Sequence, residues 1–217
     1  MKIWQMATAA LVIVGGIAPA QAKEGDVLVR LRAIVVAPTD SSDAVQPSFP
    51  GGKVDVGASV MPEVDITYMA TNHVGVELIA SSTRHEAKGR GTLTGIDPLA
   101  STWVLPPTLT LQYHLAPDSN IRPYVGAGIN YSIFYSTKAG DALEAAVGPT
   151  KVKLNDSVGY ALQAGVDIDI TPKFFFNFDV KYIDMDPKAR LNSGGAINTT
   201  RFHIDPVVVG IGLGTRF

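Results

Sequence analysis

The chain has 217 residues, 46% hydrophobic and 18% charged, enough for one sizeable core and inconsistent with a disordered protein. Lys and Arg number 18 against 20 Asp and Glu, a net charge of −2 that argues against a nucleic-acid-binding surface. The absence of cysteine excludes disulfides and thiolate metal sites.

The first element reads as an export leader. Lys2 supplies a short positive start, residues 7–17 are apolar, and Ala18-Pro19-Ala20-Gln21-Ala22 ends in an Ala-x-Ala cleavage pattern. The apolar run is short for a membrane-spanning helix of ~20 residues. We therefore divide the chain into a cleaved leader, 1–22, and one mature domain, 23–217. Removing the leader takes away Lys2 alone among the charges.

The mature chain alternates with the period of two that marks strands. Strand one, 26–36, sets Val27, Val29, Leu31, Ala33 and Val35 against Arg30 and Arg32. Strand two, about 60–70, sets Val64, Ile66 and Tyr68 against Glu63, Asp65 and Thr67. Strand three, 74–82, sets Val76, Leu78 and Ala80 against Gly75 and Glu77. Strand four ends with Leu109, Leu111 and Tyr113 opposite Thr108, Thr110 and Gln112. Strand five, 121–134, sets Val125, Ala127, Ile129, Tyr131 and Ile133 against Gly126, Gly128, Asn130 and Ser132. Strand six, 157–170, is the clearest. One face is Val158, Tyr160, Leu162, Ala164, Val166, Ile168 and Ile170, and the other is small or polar, with Asp167 and Asp169. Strand seven, 174–186, sets Phe174, Phe176, Phe178, Val180 and Tyr182 against Asn177, Asp179 and Lys181. Strand eight closes the chain with Val207, Val209, Ile211, Leu213 and Phe217 opposite three glycines and Arg216.

Long connections, 37–59, 83–100, 135–155 and 187–201, alternate with short ones at 71–73, 116–120 and 171–173. An even strand number with this asymmetry predicts an all-β, eight-stranded antiparallel transmembrane barrel, with long extracellular loops, short periplasmic turns and both termini in the periplasm. A soluble barrel would turn its apolar face inward. The polar faces fit better inside, where charges can pair, with the apolar faces on lipid. A β-sandwich would bury the apolar faces but leaves the loop asymmetry unexplained. The terminal Phe217 on an alternating strand is the pattern read by barrel-assembly machinery, an expected partner beside outer-membrane lipids.

Several segments are similar to one family. They are Val64-Asp65-Ile66-Thr67-Tyr68, Val74-Gly75-Val76-Glu77-Leu78, Leu105-Pro106-Pro107-Thr108-Leu109, Arg122-Pro123-Tyr124-Val125-Gly126, Leu154-Asn155-Asp156-Ser157, Tyr182-Ile183-Asp184-Met185-Asp186 and the closing Gly214-Thr215-Arg216-Phe217. In this order they resemble the OmpW (outer membrane protein W) family over nearly the whole mature chain. The resemblance implies a porin-like barrel of the Gram-negative outer membrane, a narrow channel for small, mostly hydrophobic compounds. Some members serve instead in stress responses or as bacteriocin receptors. The chain departs from the family where Val158 and Val207 replace tryptophans, so any role of those rings does not carry over.

Side chains nearly fill the interior of an eight-stranded barrel. We expect Glu77, Asp167, Asp169, Asp179 and Arg216 near the periplasmic end, and Arg30, Arg32, Glu63, Asp65 and Lys181 toward the middle, as a paired plug. Higher up the inward set turns apolar: Ile34, Val36, Met61, Ile79, Ile183, Met185, Ile204 and Val208 would line a ligand vestibule. A solute entering from above and meeting charge below has a sideways exit into lipid. Pro106 and Pro107 lack the N–H that a ladder needs and mark the place for it, with Trp103 and Leu105 beside them. The plainer readings are a bulge that starts strand four and, for Trp103, a belt aromatic at the membrane interface.

Other signals carry less. His73, His85, His114 and His203 share no metal-ligand spacing, so no metal, and no cofactor, is expected. His203 with Ser81 or Ser132 makes an unmarked pair, and the chain is read as a non-enzyme. The alternating glycines at 210, 212 and 214 relieve crowding in the lumen. Loops 41–59 and 137–151 read as solvated surface, or as a docking site for phage or bacteriocin. The function expected is passive uptake of small hydrophobic solutes with lateral release. The alternative is a structural, adhesive or receptor barrel with a sealed lumen. Intact-mass measurement of protein purified from outer membranes should give a mature chain beginning at Lys23; a retained leader, or cleavage elsewhere, would refute the assigned boundary.

Overall fold

A computed structural model describes residues 23–39 and 41–217; the expected leader, 1–22, lies outside the described residues. In chain order the elements are β1 (Val27–Ala37), β2 (Ser41–Ser42), β3 (Gly52–Val56), β4 (Ser59–Met69), β5 (Val74–Ser81), β6 (Thr83–Gly91), β7 (Ala100–Leu105), β8 (Thr108–His114) and β9 (Ile121–Ala139). A short helix follows, α1 (Asp141–Val147), and then β10 (Thr150–Leu154), β11 (Ser157–Asp169), β12 (Phe174–Ile183), β13 (Lys188–Ser193), β14 (Ala196–His203) and β15 (Val207–Arg216).

Eight of these strands close a barrel. Going round, β1, β4, β5, β8, β9, β11, β12 and β15 each pair antiparallel with the next, and β15 pairs back on β1. The Val27 N–H donates to the Phe217 carbonyl at 3.1 Å and the Phe217 N–H donates back at 3.0 Å, so the two chain ends zip together. They lie at the same end as the three short turns. Closure leaves the eight-stranded barrel no free edge, the condition a spanning β-structure must meet where no water can satisfy free N–H and C=O groups.

The barrel is inside-out relative to a soluble protein. Leu31, Ile129 and Val158 are 60%, 64% and 72% exposed on the outer face, while Arg30, Arg32 and Asp65 are buried inside. Period-two alternation produces both faces at once. Tyr131, Tyr160 and Tyr182 stand on the outer face toward the loop end, and Tyr68, Tyr113 and Phe174 toward the turn end, as aromatic girdles do at the two membrane interfaces. Among the described residues no helix is long and apolar enough to cross a membrane.

The long connections differ from the loops expected. Segments 41–59 and 137–151, read as solvated surface, hold β3, α1 and the start of β10, and β9 runs five residues past the expected Phe134. Two sheets extend the barrel wall upward: β3, β6 and β7 beside the end of β9, and β10, β13, β14 and β2. They order because their inner faces, including Val54, Val152, Leu154, Leu191 and Phe202, pack over the upper lumen. Their outer faces are charged, which conceals the alternation. Ser136 has φ 50 where β9 changes facing, since both Phe134 and Thr137 point at the lumen.

Two glycines make room for rings inside the barrel. A Cβ on Gly165 would come 2.4 Å from the Tyr124 ring, and one on Gly214 would come 2.3 Å from the Phe175 ring. Both rings are fully enclosed, so neither can swing away. Gly165→Ala and Gly214→Ala should each lower barrel stability by about 1–3 kcal/mol through overpacking. Gly195→Ala, in an exposed loop turn with φ 100 and open space around it, should cost less. Urea titration in lipid vesicles, read by heat-modifiable gel migration, would show the order; equal effects at the three sites would contradict it.

Candidate functional site

The lower lumen is filled by one charge network. Arg30, on β1, donates through Nη1 to Asp65 Oδ1 at 2.8 Å and through Nη2 to Asp167 Oδ2 at 2.9 Å. Its Nη1 also donates to Thr67 Oγ1 at 2.8 Å. Two residues along, Arg32 lies 2.7 Å from Asp65 Oδ2, 2.9 Å from Glu63 Oε1, 3.4 Å from Glu77 Oε1 and 3.7 Å from Asp179 Oδ2. Lys181 links Glu63 at 2.8 Å to Asp179 at 2.7 Å. At the turn end Asp169 takes Arg122 and Arg216 together. Neutral donors meet the remaining lone pairs: Glu77 Oε2 accepts from Thr110 at 2.8 Å and Gln163 at 2.7 Å, and Asp179 accepts from Tyr124 Oη at 2.9 Å. Burial of this many charges is tolerable because almost every one faces an opposite charge and extra hydrogen bonds.

All ten luminal charges expected from the sequence fall in this network. Sequence reasoning missed Arg122, the enclosed Tyr124 and Phe175, and His114, which contacts Gln112 at 3.1 Å. Phe175 is ringed by the guanidiniums of Arg30, Arg122 and Arg216, each with Cζ 5.6 Å from its centroid. Strict parity on β12 would have found it, between the outward Phe174 and Phe176.

Directly above lies an apolar cavity of about 100 Å³, comparable to cavities that hold one small apolar molecule. Glu63 and Lys181 form its floor. Seven of the eight expected lining residues line it: Ile34, Val36, Ile79, Ile183, Met185, Ile204 and Val208. Met61 does not; its side chain is half-buried away from the cavity. Phe49, Leu93 and Leu99 from the extensions, and Leu143 from α1, add walls that sequence reasoning left in loops. His85 also lines the cavity, holding the Gly57 carbonyl at 3.0 Å. The outward residues around it, Ser82, Arg84 and Glu86, place it above the lipid-facing band. Burial pushes its imidazole below the ordinary range, so it is neutral at neutral pH and suits an apolar wall.

The wall has a gap beside this cavity. The ladder from β5 to β8 ends at Ile79 with Thr108 and resumes, β6 to β7, at Thr83 with Val104. Residues 80–82 and 105–107 between them do not pair with each other, although Ala80 and Ser81 still pair with β4 and Leu105 with β9. Three residues intervene on each side, so the break is a gap and not a bulge. Facing also holds through the prolines: Val104, Pro106 and Thr108 line the cavity, and Leu105 points out. The register shift falls earlier, between Ser101 and Trp103. On the other side β9 bridges the prolines, with Tyr131 N–H on the Pro107 carbonyl at 3.0 Å and Asn130 Nδ2 on the Pro106 carbonyl at 3.2 Å. Trp103 stacks on Tyr135 at 6.4 Å, and the Tyr135 hydroxyl lies 2.6 Å from that of Ser82, strapping the gap's outer rim.

The comparisons agree with this architecture. The Outer membrane protein W of Escherichia coli is 35% identical over 195 residues, 89% of each chain. The dibenzothiophene metabolism operon protein PahQ of Pseudomonas aeruginosa is 26% identical over 169 residues, 77% of this chain and 76% of that one. The crystal structure of the outer membrane protein OprG of Pseudomonas aeruginosa superposes with a TM-score of 0.85 at 32% identity, covering 91% of this chain and 98% of that one. The OmpW family profile matches residues 23–217. With that match, a closed eight-stranded barrel and a relative at 35% identity, the chain belongs to the OmpW family of outer-membrane proteins.

Proposed function

We propose that this barrel passes small hydrophobic molecules from outside the cell into the outer membrane, by way of the apolar cavity and the gap beside Pro106 and Pro107. The observation that carries the reading is the stacking of that cavity on a filled, charged floor with an interrupted wall at the same height. An apolar solute gains by leaving water for the cavity. It gains nothing by moving down among ion pairs, whose separation would expose uncompensated charge. Parting 80–82 from 105–107 breaks no ladder hydrogen bond, because none joins these two segments. Beyond the gap lies hydrocarbon, where the outward Ala80 and Leu105 already stand. The relative named for a dibenzothiophene metabolism operon supports an apolar aromatic as one substrate class.

Uptake of a small alkane or aromatic into vesicles should fall several-fold in Ile183→Asp and Val208→Asp, which put charge into the cavity, and stay near wild type in Met61→Asp. Pro106→Ala/Pro107→Ala, free to complete the ladder, should lose uptake while still folding. If that double variant transports normally, lateral exit at this place is wrong.

The charged floor has its own test. Removing Arg32 with Met leaves Glu63, Asp65 and Asp179 short of a partner; the cost should be about 3–5 kcal/mol of barrel stability. Replacing Arg32 and Lys181 by Ala together, in barrels that still insert, should raise ion conductance across planar bilayers. Conductance unchanged from wild type would mean that these side chains do not obstruct the lumen.

A further inference from the structure

The wall parts at a second place, above the lipid-facing band. The ladder between β9 and β11 ends at Ser132 with Ser157. Beyond it β9 continues beside β7, while β10 turns to β13 and becomes the edge of a separate sheet. A groove opens between them. Lys138 stands on one lip and Lys151, Lys153 and Arg190 on the other, with Asn192 and Glu144 alongside. Lys153 and Arg190 are register partners, so their side chains leave the same face side by side.

These cations differ from those across the molecule. On the opposite extension, Arg84 pairs with Glu86 at 3.1 Å, Lys88 with Asp97 at 3.0 Å and Arg90 with Asp55 at 2.5 Å. Among the described residues, Lys138, Lys151, Lys153 and Arg190 form no ion pair. Glu144, the carboxylate of the groove, accepts the Thr150 N–H at 3.0 Å. Four cations within one concavity repel one another, and an anion with several oxygens would relieve that. The groove also has a fixed height. It begins just above the outward Tyr131, Val158 and Tyr160, where apolar surface gives way to charge. That is the level of lipid headgroups.

We propose that this groove binds the phosphate-bearing sugar headgroup of an outer-leaflet glycolipid. Lys138, Lys151, Lys153 and Arg190 would take the phosphate oxygens, and Asn192 a sugar hydroxyl. Lysines on an edge strand also block edge-to-edge pairing between sheets. That duty is served by charge of either sign, whereas headgroup binding needs positive charge, and the two roles therefore separate on charge reversal.

The test uses the full mature barrel in detergent, with native mass spectrometry reading bound lipid A that carries its phosphates. Lys151→Glu/Lys153→Glu/Arg190→Glu should bind it about tenfold more weakly or worse. Lys88→Glu, on the paired wall, should bind like wild type. Dephosphorylated lipid A should bind wild type as weakly as the triple variant binds the phosphorylated form. All these residues are exposed, and heat-modifiable migration confirms folding; should the triple variant fail to fold, Lys153→Glu alone should weaken binding about threefold. Equal binding by the charge-reversed and wild-type barrels would overturn the proposal. So would equal binding of the dephosphorylated lipid, or displacement of the glycolipid by millimolar inorganic phosphate, which would mark a free-ion site.

Discussion

Arg32 lies within ion-pair reach of four carboxylates carried by three strands: Glu63 and Asp65 on β4, Glu77 on β5 and Asp179 on β12. The rest of the molecule depends on that convergence. A strand with one face on lipid must put its other face in the lumen, and here that face is charged. The charges are tolerable only when they meet, and they meet only in a barrel narrow enough for side chains from opposite walls to touch. Narrowness fills the lower lumen, so open space is left higher up, where the inward face turns from Arg32 to Ile34 and Val36 along the same strand.

The upper half follows from the same economy of partners. Apolar residues above the network need cover from water, and the two sheet extensions and α1 provide it from outside the bilayer. Between cover and floor the wall lacks the rungs between 80–82 and 105–107, where Pro106 and Pro107 stand. The proline pair is tolerated because β9 compensates on one side, with Asn130 and Tyr131 serving the proline carbonyls. Among the described residues, the other side shows the hydroxyl contact of Ser82 and Tyr135 on its rim. The asymmetry gives the gap a direction, toward β5 and β6.

Much of this was legible in the sequence, for a definite reason. Lipid allows little compromise on the outer face, so the apolar residues recur at every second position and the barrel, its strand number and its ten expected luminal charges can be read off. The signal fails where hydropathy does not distinguish the faces. Phe175 sits in a run of aromatics, and only parity separates it from its lipid-facing neighbours. Arg122 is the second residue of β9, where the alternation has barely begun. The extensions were hidden differently: above the membrane their outer residues face water, so Lys151 and Lys153 beside Val152 and Leu154 read as loop. Met61 shows the limit of parity, since an inward position does not ensure contact with the cavity.

The hydrogen bonds joining Val27 to Phe217 complete the ring within which the luminal charges meet. Arg30 and Arg32 belong to the first strand, and Asp167 and Asp179 to the sixth and seventh strands of the barrel. These partners come together only when the final strand has docked on the first. Arg30 and Arg32 already face Asp65 and Glu63 across the β1–β4 ladder, whereas Asp167 and Asp179 reach them only through the closed barrel. The residues that would be ruinous if left unpaired inside the wall are therefore fully matched only in the closed ring, so the seam between the chain ends and the charge network stand or fall together.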